Sequence, residues 1–258
     1  MIFYFSATGN SQYAAEKIAA VTGARLISIG QALRDGHYEY DIAKDTYLGF
    51  VVPTFAWTLP GAVALFLEKL NLKGYGSQYT YGVFTCGEST GSEAAALYTI
   101  LKSKGITLNN SFDLVMPDNF IIWSDVPAPA RLDSMLKSAD RTLEGIMETV
   151  ALKTPGKVDT VRPKDLYMPM QEISTSKKTS KLFADEKCTA CGLCMALCPM
   201  RCIKPDEAGH PLWEGTCTMC LACLHRCPAA ASQHGNDTQK KGRYMNPNVK
   251  PPAANTYN

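Results

Sequence analysis

The sequence predicts an α/β protein, in which a doubly wound five-stranded parallel sheet is followed by a small cysteine-rich α+β module. Two observations lead to this prediction. Over residues 1–152, short apolar runs alternate with segments of helical periodicity, as in parallel sheets that carry helices on both faces. Nearer the C-terminus, eight of the ten cysteines fall in two runs with identical spacing.

The five predicted strands are short apolar runs. They cover residues 1–5, 25–29, 47–52, 79–85 and 112–116. Between them, apolar residues recur at helical spacing, most regularly over residues 131–150, and Pro60 marks the start of another predicted helix. Residues 33–45 are polar and irregular, and we expect no regular element there.

The chain divides into four predicted parts. Residues 1–152 form the sheet domain, and residues 182–235 form the cysteine module. Between them, residues 153–181 lose their periodicity and are rich in Pro, Gly, Ser, Thr and Lys, which predicts a linker. Residues 236–258 predict an extended tail that is either disordered or packed across a domain.

Composition and charge narrow the class of protein. At 258 residues, with 46% hydrophobic and 19% charged residues, the chain suits one ordinary domain and a small one. We expect no membrane span, because no apolar run approaches the ~18 residues needed, and no signal peptide. So many unpaired cysteines predict a reducing, cytoplasmic location.

The net charge of +2 is unevenly distributed along the chain. Residues 1–150 hold 11 basic and 15 acidic residues, whereas residues 151–258 hold 15 basic and 9 acidic ones. No stripe of Lys and Arg with interleaved aromatic residues is found, so we expect no nucleic-acid partner. Opposite charges on the two halves favour docking of one part of the chain against the other.

Two cysteine runs carry the strongest functional pattern. They comprise Cys188, Cys191, Cys194 and Cys198, and then Cys217, Cys220, Cys223 and Cys227. Each reads C-x2-C-x2-C-x3-C and is followed by proline, and the second run begins 29 residues after the first. This is the spacing of bacterial proteins with two [4Fe–4S] clusters, in which the fourth cysteine of each run ligates the other cluster.

The spacing therefore predicts crossed ligand sets. Cluster I takes Cys188, Cys191, Cys194 and Cys227, and cluster II takes Cys217, Cys220, Cys223 and Cys198. Zinc sites are the alternative, but they usually pair two CxxC knuckles more than a dozen residues apart, which leaves the other cysteines without a role. Cys86 and Cys202 lie outside the runs and are predicted to be small buried residues.

Three loops follow predicted strands at the sheet edge where ligands bind in this fold class, and they cover residues 6–11, 53–57 and 85–91. The first offers hydroxyl and amide groups at Ser6, Thr8, Asn10 and Ser11. It leads into a helix N-terminus, which predicts a phosphate site. The alternative is that these side chains only cap the helix.

The first loop resembles the T/S-x-T-G-x-T pattern with which flavodoxins bind the phosphate of FMN. In that family the second loop presents an aromatic residue to the flavin, as Trp57 would, and the third contacts the ring through its backbone. Residues 116–120 show a weaker resemblance to a further flavin-side loop of related multidomain flavoproteins. The resemblance implies that FMN is bound by Ser6, Thr8, Gly9, Asn10, Ser11, Pro53, Thr54, Phe55, Ala56, Trp57, Thr85, Cys86, Gly87, Glu88, Asn119 and Phe120.

Over nearly its full length, the chain resembles the flavodoxin–ferredoxin fusions of anaerobic microbes, the EFR1 family. That resemblance implies an iron–sulfur flavoprotein that passes single electrons between FMN, two [4Fe–4S] clusters and a redox partner protein. No residue is identifiable as a catalytic acid or base, so an electron carrier is favoured over an enzyme. Two alternatives stay open: a ferredoxin with a flavin-free docking domain, and a flavin-dependent reductase of a small molecule.

Overall fold

A computed structural model describes residues 1–160 and 179–250 of the chain. The strands of the N-terminal domain are β1 (Ile2–Tyr4), β2 (Leu26–Ser28), β3 (Glu39–Asp41), β4 (Tyr47–Pro53), β5 (Asn71–Lys73), β6 (Tyr79–Cys86) and β7 (Asn110–Val115). Five of them form a parallel sheet in the order β2-β1-β4-β6-β7. When only these five strands are numbered along the chain, their order in the sheet is 2-1-3-4-5, the order of the flavodoxin-like fold. This confirms the predicted fold class.

Five helices cover the two faces of this sheet. They are α1 (Asn10–Thr22), α2 (Ile29–Asp35), α3 (Gly61–Lys69), α4 (Glu93–Ser103) and α5 (Pro129–Ala151). α5 begins with a proline, whose missing N–H is not needed in the first turn. α1 ends at Gly23, which adopts the left-handed backbone conformation common at helix C-termini.

Residues 33–45 were expected to be irregular, and this expectation is wrong. The segment includes the end of α2 and the short strand β3, which pairs in parallel with β5. The buried Tyr40 ring of β3 packs edge-on against Phe3, with the ring centroids 5.0 Å apart. Because this strand is only three residues long and depends on that contact, its sequence carried no clear periodicity.

Alternating side chains of the central strands build a core on each face of the sheet. Phe3 and Phe50 face α2 and α3, where Phe66 packs against them. Ile2 and Val51, their neighbours, face α1 and α5 on the other side. Such alternation follows from the period of two residues in a strand, and it makes both faces of a parallel sheet apolar.

The cysteine module is a small α+β unit. Its elements are β8 (Leu182–Ala184), α6 (Leu193–Leu197), β9 (Ile203–Pro205), β10 (Pro211–Trp213), α7 (Ala222–His225) and β11 (Ser232–His234). β8 pairs with β11, and β9 pairs with β10, both antiparallel. The small apolar core of the module also takes in Ile121, from the loop after β7 of the first domain.

Residues 236–250 of the tail pack across the first domain, which is one of the two predicted outcomes. The tail bonds the loop after β7, where Gly242 N donates to Asp125 Oδ1 at 2.8 Å. It continues to the first loop of the sheet domain, where Asn246 N donates to the Thr8 carbonyl at 2.8 Å. Residues 251–258, and most of the predicted linker, lie outside the described residues. Within the described ranges, no helix is long and apolar enough to cross a membrane.

Candidate functional site

The two cysteine loops share one backbone conformation. Positive φ angles recur at equivalent places in both repeats: at Ala190 and Met219, at Gly192 and Leu221, and at Arg201 and Ala230. Each pair is separated by 29 residues, like the runs themselves. A non-glycine residue in this conformation costs about 1–2 kcal/mol, so such backbone persists only where the surroundings impose it. The repeated conformation arranges each run of thiols in the same way.

The structure brings together the four cysteines predicted for cluster I. Burial raises the pKa of the Cys194 thiol to about 11, and the thiols whose charges act on it are Cys191, Cys227 and Cys188. These are the other three members of the predicted set. The Cys227 sulfur also accepts a hydrogen bond from Ala231 N at 3.3 Å.

The four cysteines predicted for cluster II line one cavity. Its walls hold Cys198, Cys217, Cys220 and Cys223, together with apolar side chains from Leu182, Ile203, Trp213 and Leu221. Burial raises the pKa of Cys220 to about 12 and that of Cys223 well above its usual range. Because a thiol must lose its proton to ligate a metal, ligation here would release protons.

Two further groups in this cavity suit an electron-rich cluster. The buried Trp213 Nε1 has no hydrogen-bond partner within the described parts of the chain, and it lies close enough to Cys223 to act on that thiol. Cys202 Sγ lies 3.5 Å from Cys198 Sγ. The Cys202 thiol holds the pKa of Cys198 down to about 6, and its own pKa rises, so it stays a protonated donor. Donors aimed at cluster sulfurs are common around iron–sulfur sites.

Cys202 is buried, as predicted, but its thiol also contacts the predicted ligand Cys198 and lowers the pKa of another, Cys217. Among the residues that the structure describes, no group of three or more His, Cys, Asp or Glu side chains is gathered tightly enough for a single metal ion. The donor set is therefore two groups of four cysteines, each loosely gathered and buried in part. These residues fit the larger [4Fe–4S] cube in number and chemistry.

A second cavity lies at the carboxyl ends of the central strands. Eleven of the sixteen residues predicted to bind FMN line it: Ser6, Thr8, Asn10, Ser11, Pro53, Thr54, Phe55, Thr85, Cys86, Gly87 and Asn119. The four loops that carry them thus meet at the predicted edge of the sheet. The cavity measures only about 40 Å³, whereas sites for drug-sized ligands measure about 300–1,000 Å³.

The polar groups of the first loop are bonded to the protein itself. Asn10 Nδ2 donates to the Pro117 carbonyl at 3.1 Å, and its Oδ1 accepts from Tyr244 Oη at 2.7 Å and from Asn246 Nδ2 at 3.1 Å. The Ser11 hydroxyl bonds to that of Thr85 at 2.8 Å. Thr8, Asn10 and Ser11 are all buried. The Asn10 amide and the Ser11 hydroxyl are therefore already bonded to protein partners.

The tail also closes the space above Gly9, the residue expected to let a phosphate approach. A side-chain carbon added at Gly9 would come within 3.0 Å of Asn246 Cβ and 3.4 Å of Val249 Cβ. The tail therefore packs directly against Gly9 of the first loop.

The remaining predicted flavin contacts lie elsewhere. Ala56 and Trp57 form a two-residue turn with positive φ angles, closed by two hydrogen bonds between Phe55 and Thr58. The Trp57 side chain is 43% exposed, so it does not line an enclosed pocket for a flavin ring. Glu88 is exposed, and Phe120 packs with the core of the cysteine module.

The buried Glu93 lies beneath the second loop and was not predicted. It begins α4 and bonds the Thr54 hydroxyl, while its other oxygen, Oε1, has no partner within the described ranges. Burial raises the pKa of Glu93 well above its usual value, and the nearby charge of Asp113 adds to this effect. Burial therefore favours the protonated form of Glu93.

Comparisons with known proteins agree with the strand order. No family model and no curated protein match the chain. A candidate flavoprotein from Bacteroides uniformis is 16% identical, with 45% of this chain and 88% of that one covered and a TM-score of 0.36. A candidate flavoprotein from Bacteroides eggerthii is 22% identical, with 44% of this chain and 85% of that one covered and a TM-score of 0.33. Trp repressor binding protein from Bacillus subtilis is 15% identical, with 56% of this chain and 97% of that one covered and a TM-score of 0.35. The N-terminal domain has a flavodoxin-like fold. The order of its strands, rather than these low scores, assigns it.

Several residues of the site gave no recognisable signal in the sequence. Tyr244 and Asn246 lie in a tail without periodicity, more than 230 residues from the loop they cover. His225 bridges the same region, because its Nε2 bonds the Asn119 carbonyl at 2.8 Å and its Nδ1 accepts from Tyr244 N at 3.1 Å. Tyr244 N–H can only donate, which places the imidazole proton on Nε2.

Replacement of Asn10 by alanine should loosen the tail. Asn10→Ala leaves the Tyr244 hydroxyl, the Asn246 amide and the Pro117 carbonyl without their buried partner, at a cost of about 3 kcal/mol. We expect a lower thermal midpoint and faster amide hydrogen exchange at residues 243–249. The exposed amide of Asn71 offers the matched control, Asn71→Ala, which should change neither quantity. Unchanged exchange in Asn10→Ala would show that the tail is held elsewhere.

Replacement of Glu93 by glutamine should stabilise the protein at alkaline pH. The pKa of Glu93 is higher in the folded than in the unfolded chain, so the wild type loses stability as pH rises above about 4.5, the ordinary Glu value. At pH 8 we expect Glu93→Gln to be more stable by about 1–3 kcal/mol, and near pH 4 to equal the wild type. Thermal melts at both pH values measure this, with the exposed Glu88→Gln as control. A difference in stability between Glu93→Gln and the wild type that is the same at both pH values would contradict this prediction.

Proposed function

We propose that this protein is an electron carrier that holds two [4Fe–4S] clusters in its C-terminal module and uses its flavodoxin-like domain, without flavin, to dock a redox partner. The observation that carries the proposal is the gathering of the cysteines into the two crossed sets. Cys188, Cys191 and Cys227 lie close enough to Cys194 to raise the pKa of its thiol, and the other four cysteines line one cavity. When bound, each cluster takes up or releases one electron at a time.

The residues of the module have separate roles in this function. The eight cysteine thiolates would ligate the iron atoms. N–H groups such as Met219 N, which donates to Cys217 Sγ at 3.3 Å, stabilise negative charge on sulfur. The apolar walls of the second cavity, with Leu182, Ile203 and Leu221, keep water from the sulfurs. Exposure to water and hydrogen bonding are the factors with which a protein sets a cluster potential.

The docking role of the first domain rests on its attachment to the module. Four hydrogen bonds fix the module to it: Arg34 Nη1 to the Leu197 carbonyl at 3.1 Å, Ala62 N to Thr218 Oγ1 at 3.1 Å, His225 Nε2 to the Asn119 carbonyl at 2.8 Å, and Arg226 Nε to the Ala7 carbonyl at 2.6 Å. A domain held in this way would present the module to a partner in one orientation.

A second function is favoured by the meeting of the four loops. Eleven residues of the flavodoxin-like set line one cavity, so displacement of the tail would uncover a loop of flavodoxin type. In that case the protein would be an iron–sulfur flavoprotein, as its resemblance to flavodoxin–ferredoxin fusions implies. The two functions differ in whether FMN is retained by the purified chain.

Iron analysis tests the clusters. Anaerobically purified protein should contain about eight irons and eight sulfides per chain, the content of two [4Fe–4S] clusters. Cys194→Ser removes a cluster I ligand and should retain about half of both, while Cys86→Ser, outside the runs, should retain all. One or two zinc ions per chain in place of iron would overturn the proposal.

Flavin analysis separates the two functions. We expect no flavin on acid release from the wild type, and no quenching of FMN fluorescence on titration, because the tail fills the loop. The double variant Tyr244→Ala with Asn246→Ala removes the two side chains that bond Asn10, and FMN binding by this variant alone would show that the loop keeps its flavodoxin character. Asn248→Ala, an exposed neighbour, is the control. Stoichiometric flavin in the wild type would contradict the docking function.

A further inference from the structure

The repeat of the cysteine module extends beyond the two runs, so that residues 29 positions apart occupy equivalent places. Glu214 N donates to the Cys202 carbonyl at 2.8 Å, and Asp185 N donates to the Ala231 carbonyl at 3.0 Å. Cys202 and Ala231 each lie four residues after the last cysteine of a run. They are therefore equivalent positions, the first beside the proposed cluster II and the second beside cluster I.

The strands around the runs repeat in the same way. Trp213 of β10 pairs with Ile203 of β9, and Ala184 of β8 pairs with Ser232 of β11. Trp213 and Ala184 each lie four residues before the first cysteine of a run, so they occupy equivalent positions as well. Trp213 belongs to the run that supplies most of cluster II, and Ala184 to the run that supplies most of cluster I.

The two pairs of equivalent positions differ in their side-chain donors. Beside cluster II, Trp213 carries an indole N–H and Cys202 a thiol S–H, whereas the alanine at each equivalent position beside cluster I carries no donor. The backbone donors are alike in the two repeats. Ala231 N donates to Cys227 Sγ at 3.3 Å, and the Cys202 N–H helps to lower the pKa of Cys198. The difference between the two sites at these positions therefore lies in the side chains.

The indole of Trp213 offers a buried donor to the cavity that the cluster II cysteines line. Trp213 is itself among the lining residues and is only 8% exposed. Its Nε1 has no hydrogen-bond partner among the described residues, and the side chain lies close enough to Cys223 to act on that thiol. A buried N–H without a partner is costly, and a sulfur atom in this cavity would supply the missing acceptor.

The thiol of Cys202 is a donor once Cys198 ligates iron. The two sulfurs lie 3.5 Å apart, and while both are free either one can donate. A cysteine that ligates a metal has lost its proton, so the S–H of Cys202 then supplies the hydrogen between them. Cys202 lines the same cavity as Trp213 and is 6% exposed, so water does not replace this contact.

We propose that Trp213 and Cys202 raise the reduction potential of cluster II alone, by donating hydrogen bonds to its sulfur ligands. Reduction adds one electron and therefore negative charge, which donors to the sulfurs stabilise. The effect is confined to cluster II because the equivalent positions beside cluster I are alanines. This inference rests on the proposed function, since it requires both clusters.

Burial explains why cluster II has more need of such donors than cluster I. None of the four cluster II cysteines is exposed, and they share their cavity with apolar side chains, whereas Cys191 of the cluster I set is exposed. Apolar surroundings disfavour the more negative, reduced state. The two donors offset this effect of burial and make cluster II easier to reduce.

A potentiometric titration of the full, anaerobically purified chain tests the inference, with the electron paramagnetic resonance signal of the reduced clusters as readout. Each cluster takes up one electron from the added reductant. Cys202→Ala introduces the residue of the equivalent position and should lower the potential of one half of the signal by about 59 mV, a tenfold change in the ratio of reduced to oxidised cluster. Trp213→Phe keeps an aromatic ring without the N–H and should shift the same half in the same direction.

Three further variants separate hydrogen bonding from a structural effect. Cys202→Ser keeps a donor and should stay closer to the wild type than Cys202→Ala. Ala231→Cys adds a thiol at the equivalent position beside cluster I and should raise the potential of the other half of the signal. The control is Leu212→Ala, the exposed neighbour of Trp213 on β10, which should move neither half.

Iron and sulfide are quantified first, so that the two claims fail separately. A chain without iron overturns the proposed function and this inference with it. About eight irons per chain with unmoved potentials in Cys202→Ala and Trp213→Phe overturn the inference alone, as do equal shifts of both halves of the signal. Loss of about four irons in Cys202→Ala would make Cys202 a ligand and would also overturn it. Where Trp213→Phe fails to fold, the comparison of Cys202→Ala with Cys202→Ser decides.

Discussion

The buried amide of Asn10 is the contact on which the position of the tail over the first domain depends. Its nitrogen bonds the loop after β7 through Pro117, and its oxygen receives the tail through Tyr244 and Asn246. A buried amide is expensive to leave unpaired, so these three segments are held together as one unit. The same contact uses the groups with which a flavodoxin loop would bind phosphate. The tail therefore occupies the Asn10 side chain that the flavodoxin-like loop would offer to a ligand.

The cysteine module shows a second constraint, local in origin. Five non-glycine residues of this small unit adopt positive φ. Together with Gly192 they form three pairs of equivalent positions in the two repeats. Backbone of this kind is costly in isolation, and the short strands around it bury little apolar surface. A module of this size usually needs metals or another domain to stay folded. Here both supports are available: the gathered thiols, and the first-domain residue Ile121 within the module's core.

Charge then connects the two parts. The first 150 residues are acidic on balance and the remainder basic, yet the bonds that cross the interface are mostly from side chains to backbone carbonyls rather than ion pairs.

The sequence by itself determined the sheet, its parallel order and the two groups of cysteines, because these depend on short-range patterns: apolar runs with helical spacing between them, and thiols at a repeated interval. It also located three loops at one edge of the sheet, since strand ends in such folds must meet there. Tertiary structure alone decided that residues 33–45 include a strand, that Glu93 is buried, and that the tail packs on the first loop. Each of these depends on contacts between residues far apart in the chain, such as Tyr40 with Phe3 and Asn246 with Asn10, and no local pattern encodes them.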